Sequence, residues 1–206
     1  MFKVEPPGGD RSRRAGPFVG RPGAAPAGDD PGAGDPECCA LFLHLNTNKR
    51  SLVAPLDDPV VDALAARADI VIRSSPQPAL DRLRIARAQT VVVWVPSFGL
   101  TGPYAGYAGE EIVHLAFGGP MSASGHPDRE PVKMAGVIGQ YQCGSAAAVA
   151  AMAALMVAGR TGTGPHVDLS NVDTQVASID RRMTYLLYAA YRGQDVPRFG
   201  GYSVSP

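Results

Sequence analysis

Uniformly apolar runs alternate along the chain with segments whose apolar residues recur at helical spacing, and this alternation sets the expected fold class. LFLHL at 41–45 is a run of strand length. LDDPVVDALAARA at 56–68 carries apolar residues at helical intervals, and ADIVIR at 68–73 returns to β-branched, strand-like residues. ALDRLRIARA at 79–88 again suits a helix, and TVVVWV at 90–95 is almost wholly apolar, as expected of a central parallel strand covered on both faces. Strands separated by helices with short connections imply right-handed crossovers and a parallel sheet. The expected fold class is α/β, a Rossmann-like parallel sheet with flanking helices.

The stretch GVIGQYQCGSAAAVAAMAALMVAGR, 136–160, predicts a long buried helix preceded by a short loop. Alanine loses no rotamer freedom in a helix, and small side chains let neighbouring backbones approach. PHVDLS at 165–170 reads as a further strand, and FKVE at 2–5 as the end of one. Between FKVE and the first apolar run, residues 6–37 are crowded with Pro and Gly and short of large apolar side chains. Such a segment buries too little surface to offset chain entropy. The expected organisation is a mobile segment at 1–40, an α/β domain at 41–170, and a helix and tail at 171–206 leading toward a second domain not contained in this sequence.

Composition narrows the function classes. The 206 residues are 45% hydrophobic, enough for a substantial core, and the formal charge is zero, which gives no electrostatic footprint for a nucleic-acid backbone. The N-terminal MFKVEPPGGD has no apolar core of a secretory signal, and the longest apolar run, 146–158, is too short to span a bilayer, so a cytoplasmic protein without a membrane partner is expected. The three cysteines, Cys38, Cys39 and Cys143, have neither CxxC spacing nor neighbouring histidines and suggest neither disulfides nor zinc. His114 and His126 have no spaced ligand partners, so no metal is expected.

Candidate chemistry gathers around two loops. Residues 96–109, PSFGLTGPYAGYAG, follow the apolar strand directly, where ligands bind in open α/β sheets. From residues alone this loop is equally a site wall or a plain connection. The second loop opens the Ala-rich helix and contains Gln140.

Several spaced motifs carry a resemblance to a family. They are KVE-PPGGD at the start, Asn46-Thr47-Asn48-Lys49-Arg50-Ser51, Phe98-Gly99-Leu100-Thr101-Gly102-Pro103-Tyr104-Ala105, Gly118-Gly119, Gly125-His126-Pro127-Asp128, and RTGTGPHVDLS at 160–170. In this order they resemble the class III CoA-transferases, which include formyl-CoA and carnitine CoA-transferases and a related 2-methylacyl-CoA racemase. The first βαβ unit of that family and its smaller second domain have no counterpart here, so the resemblance implies a chain truncated at both ends.

The resemblance implies CoA transfer from an acyl-CoA thioester to a carboxylic acid, with coenzyme A as substrate and no permanently bound cofactor. A side-chain carboxylate attacks the thioester carbonyl, and Gly-rich backbone stabilises the oxyanion. The family's nucleophilic Asp corresponds to Gln140, whose carboxamide has no anionic oxygen but can donate and accept hydrogen bonds. Glu110 stands where the racemase has its catalytic His, so racemisation is the weaker enzymatic reading. Glu110 and Glu111 are candidates to act in place of the missing Asp, Glu110 foremost, against the reading of an exposed pair at a helix start that favours its dipole; Cys143 could form a thioester, against the reading of a small buried thiol. For CoA, Lys49 and Arg50 can meet phosphates, Ser74 and Ser75 replace the Asn-Phe pair that lines the nucleotide, and Arg82 is retained in Leu80-Asp81-Arg82. Family members are interlocked homodimers. The competing class is a non-catalytic acyl-CoA-binding or heteromer partner that has lost its nucleophile.

Overall fold

A computed structural model of the chain describes residues 1–19, 35–74, 87–178, 182–194 and 198, and the side chains of 182–186 are not among what is described. The chain divides into two compact units, Met1–Arg67 and Ala68–Pro206. The division falls between a helix and a strand, inside the stretch 41–170 that the sequence pattern reads as one domain.

In the first unit, strand β1 (Phe2–Glu5) pairs in parallel with β2 (Arg50–Val53), with Phe2 opposite Arg50 and Val4 opposite Leu52. Helix α1 (Ala40–Leu45) precedes β2, and α2 (Pro59–Ala65) follows it. The run LFLHL is therefore helical, not a strand. A short apolar run cannot by itself distinguish the two states, leucine is a good helix former, and only Phe42 of the run is buried. The strand that pairs with β1 is RSLV, which begins in the segment read as a cation motif, at Arg50 and Ser51. Helix α2 begins as its sequence suggests: the Val60 N–H donates to Asp58 Oδ1 at 2.9 Å, and Pro59 occupies the first turn.

The N-terminal segment is also more structured than its composition suggests. Residues Arg11–Arg14 and Pro36–Cys38 form short 3-10 turns, and Cys39 is fully buried. The cause is Glu5, which is fully buried and accepts from Arg13 Nε at 2.7 Å, Arg13 Nη2 at 2.9 Å, Ser51 Oγ at 2.7 Å and the Asp10 N–H at 2.9 Å. A buried carboxylate held by this many donors fixes the chain around it despite a composition poor in apolar residues. The Arg13 guanidinium also stacks on the Phe42 ring at 3.8 Å.

In the second unit, β3 (Ile70–Arg73), β4 (Val91–Trp94) and β5 (His166–Asp168) form a parallel sheet with β4 central. All four residues of β4 are buried, as its uniform apolarity predicts. The register sets Ile70 opposite Val91 and Val93 opposite Val167. Helix α3 (Glu111–Phe117) and the long helix α4 (Ile138–Thr161) lie between β4 and β5, and α5 (Asn171–Val176) and α6 (Arg182–Arg192) follow. The helix expected at 79–88 falls almost wholly outside the described residues. The parallel strands are shared between two units; the fold class is nonetheless α/β with parallel sheets and flanking helices.

Helix α4 buries one face only. Gly139, Cys143, Ala147, Ala151, Ala154 and Ala158 recur every three or four residues, and the last four of them pack on Val91 and Val93 of the central strand. On the opposite side Val149 is 72% exposed, Met152 59% and Met156 63%. Over its 24 residues the helix is long and apolar enough to meet the composition of a membrane span, because Ile138, Tyr141 and Cys143 add to the run read from 146–158 on its N-terminal side. Its small-residue face packed on the sheet is that of a domain helix. The helix ends at Gly162, whose φ of 74° suits the left-handed cap and whose N–H returns to the Ala158 carbonyl at 2.9 Å. Gly164 then passes so close to the Thr90 carbonyl that any side chain would collide with it, which lets β5 enter the sheet beside β4.

Candidate functional site

The loop after β4 and the start of α4 lie at the carboxyl edge of the second sheet. Because α4 leads into parallel strand β5, it runs against the strands, and its first turn emerges at their carboxyl ends. Hydrogen bonds with the segment 168–172 hold the 96–109 loop there. The Pro96 and Ser97 carbonyls accept from the Asn171 and Val172 N–H groups at 2.9 and 3.1 Å, and Asp168 Oδ2 accepts from the Leu100 N–H at 2.9 Å. The turn before Leu100 needs Gly99, at φ 87°. Asp168 therefore holds this loop, a role beyond that of an ordinary strand residue.

The loop presents aromatic rings. Phe98 meets Phe117 edge-on at 5.3 Å, with Tyr104 at 6.0 Å and Tyr107 at 6.2 Å. Tyr104, Tyr107 and Phe117 are 47, 59 and 54% exposed, so the cluster is open at its outer side. His114 lies 6.4 Å from Phe98, is buried, and has no hydrogen-bond partner at either ring nitrogen. Burial pushes its pKa down, against the charges of Glu111 and Glu110.

Gln140 sits exposed on the first turn of α4, its N–H directed to the Val137 carbonyl at 3.1 Å and its carboxamide without a hydrogen bond among the described residues. Glu110 is exposed as the residue before α3 and caps the helix with no side-chain bond. Glu111 corrects the reading of an exposed acidic pair: it is only 7% exposed, and its Oε1 accepts from the Gly139 N–H at 2.7 Å. The helix period turns Glu111 inward while Glu110 faces solvent. Gln175 of α5 completes this junction, donating from Nε2 to the Gly139 carbonyl at 3.1 Å. Cys143, one turn further along α4, is sealed in, takes a 3.7 Å contact from Thr174 Oγ1, and has its thiol pKa pushed up by burial. A groove of about 510 Å³ runs beside it, lined by Gln142, Ser145, Leu169, Asp173 and Thr174 among others, and reaches neither Gln140 nor Glu110.

The residues read for coenzyme A belong to both units. Lys49 and Arg50 are exposed on the first unit, with Lys49 Nζ donating to Asn46 Oδ1 at 3.0 Å. Lys49 lines a cavity of about 450 Å³ with Lys3, Glu5, Arg13 and Phe42, in which Lys3 and Arg13 already face carboxylates. Ser74 is exposed at the end of β3. Ser75 and Arg82 lie outside the described residues. Just before Ser74, the buried guanidinium of Arg73 stacks on Trp94 at 3.9 Å. Among the described residues, no three His, Cys, Asp or Glu side chains are grouped as metal ligands.

Against this geometry the comparisons with known proteins are specific. The model of CoA-transferase family III matches residues 1–203. The chain is 33% identical over 201 residues to the succinate–glutarate CoA-transferase of Agrobacterium fabrum, an alignment covering 91% of this chain and 48% of that protein. It is 28% identical over 192 residues to the succinyl-CoA:(R)-benzylsuccinate CoA-transferase subunit BbsE of Thauera aromatica, covering 87% and 44%. The crystal structure of a CAIB/BAIF family protein from Brucella suis superposes with a TM-score of 0.81 at 29% identity, covering 100% of this chain and 54% of that one. The chain thus spans about half the length of the relatives it matches.

Proposed function

The chain belongs to CoA-transferase family III, and from that premise we propose that it takes part in moving coenzyme A from an acyl-CoA thioester to a carboxylic acid. A dicarboxylic acid is the favoured acceptor class, since the relatives' names pair succinate, glutarate and benzylsuccinate. The observation that carries the reading is the open first turn of α4 at the sheet's carboxyl edge, with residue 140 exposed on it. A thioester carbonyl brought to this turn would meet side chain 140. In this proposal Lys49, Arg50, Ser74, Ser75 and Arg82 serve the phosphates and nucleotide of CoA, the protein works in the cytoplasm, and it assembles as a homodimer.

Chemistry at residue 140 sets the limit. Attack on the thioester carbonyl requires an anionic oxygen that forms an acyl bond as CoA leaves as thiolate. The carboxamide of Gln140 has none, and the carboxylate of Glu111 is enclosed and bound to main chain. This favours a second reading, an acyl-CoA-binding member of a heteromer whose partner supplies the carboxylate, and one relative is named as a subunit.

The experiment compares the native chain with Gln140→Asp. Each is incubated with succinyl-CoA and glutarate, followed by mass analysis for a covalent adduct and chromatography for glutaryl-CoA. Under the first reading the native chain is weak and Gln140→Asp gains at least about tenfold in transfer. CoA binding by both chains with no product from either favours the second reading, and no CoA binding by either sinks both.

A further inference from the structure

Two buried side chains of the second unit meet at Gly139, each with an oxygen that has no hydrogen-bond partner among the described residues. These are Glu111 Oε2 and Gln175 Oε1, and Gln175 is only 1% exposed. Folded interiors pair nearly all such groups, so each exception calls for a physical account. Gly139 lies between the two, with Glu111 accepting from its N–H and Gln175 donating to its carbonyl. The two side chains come from different helices and hold both main-chain groups of one residue.

Glycines make room for this grip. A Cβ at Gly139 would meet Glu111 Oε1 at 3.1 Å and Gln175 Nε2 at 3.2 Å. A Cβ at Gly118, where α3 ends, would collide with the Cβ of Gln175. Helix α4 has no side-chain cap of its own at Val137, so its first-turn amides depend on acceptors brought from elsewhere. Glu111 supplies one from α3.

We propose that Gln175, acting with Glu111, is a positioning residue for side chain 140: gripping the Gly139 peptide group by group fixes the first turn of α4, and with it the direction in which residue 140 leaves the helix. The first turn of a helix frays readily, and the Cα–Cβ direction follows the backbone. This inference rests on the CoA-transfer reading only for its activity measurement.

The test uses Gln175→Met, which keeps the volume and removes the donor, Glu111→Leu, which removes the acceptor, and Glu111→Gln, which keeps an acceptor. Each is made in the native chain for amide hydrogen exchange, and in the Gln140→Asp chain for kinetics. Gln175→Met and Glu111→Leu should speed exchange at residues 139–141 by about tenfold while leaving 150–158 unchanged. In the Gln140→Asp chain they should lower kcat by up to about a hundredfold with KM moved by less than about threefold. Glu111→Gln should restore most of both signals. Unchanged exchange at 139–141, or acceleration spread evenly along α4, overturns the proposal, as does a kinetic loss carried by KM alone. If Gln140→Asp shows no transfer at all, the CoA-transfer reading fails, and the exchange pattern still decides whether the grip exists.

Discussion

Glu5 in the first unit and Glu111 in the second are both buried carboxylates in a chain of zero formal charge, yet their surroundings differ. Glu5 accepts four hydrogen bonds, two of them from Arg13, and Arg13 holds its pKa down to about 2 against the opposing effect of burial. Among the described residues Glu111 accepts one hydrogen bond, from the Gly139 N–H, and its other oxygen has no partner. The first arrangement has its polar groups satisfied and organises a segment poor in apolar residues. The second leaves polar capacity unused beside the exposed turn that carries residue 140. Burial alone does not separate the two carboxylates; the number of donors each accepts from does.

The sharpest way to break this contrast is to remove Glu5. Glu5→Ala leaves the Arg13 guanidinium, itself mostly covered, without its main partner, and should cost the first unit about 3–5 kcal/mol in urea unfolding. Acid tests the same group: its folded pKa of about 2 lies below its ordinary 4.5, so its contribution is complete above pH 4.5 and is lost as pH falls toward 2. A Glu5→Gln chain should show a flatter acid limb in that window, and an identical limb would mean the cluster contributes little. Next in size, Glu111→Gln keeps an acceptor for Gly139 and should change stability by no more than about 1 kcal/mol, measured by the same unfolding. A loss as large as that of Glu5→Ala would erase the distinction drawn between the two sites. Smallest is Gln140→Ala, an exposed first-turn substitution expected to fall within about 0.5 kcal/mol by thermal melting, whatever it does to ligand handling.

The sequence carried much of the second unit. TVVVWV is uniformly apolar because β4 is covered on both faces, and PHVDLS and the Ala-rich helix stand where their patterns put them. LFLHL misled because a short run of leucine and phenylalanine suits either state, and the neighbouring strand RSLV is half polar. At the site, residue 140 was legible as a helix start. Glu111 was read as exposed because sequence places it beside Glu110 without showing which way the helix turns it. Gln175 left no signal: it sits 36 residues from the carbonyl it holds, and its place depends on backbone approach at Gly118 and Gly139 that only the folded chain reveals.

Helix α4 carries Val149, Met152 and Met156 facing water along the side opposite its alanines. Thioethers held in solvent are open to peroxide, so storage of the purified chain without a reducing scavenger should convert Met152 and Met156 to sulfoxides before methionines elsewhere that are covered. That lesion would turn a greasy stripe into a wettable one without touching the packed seam beneath it, which makes oxidant history a hidden variable in any work with this polypeptide.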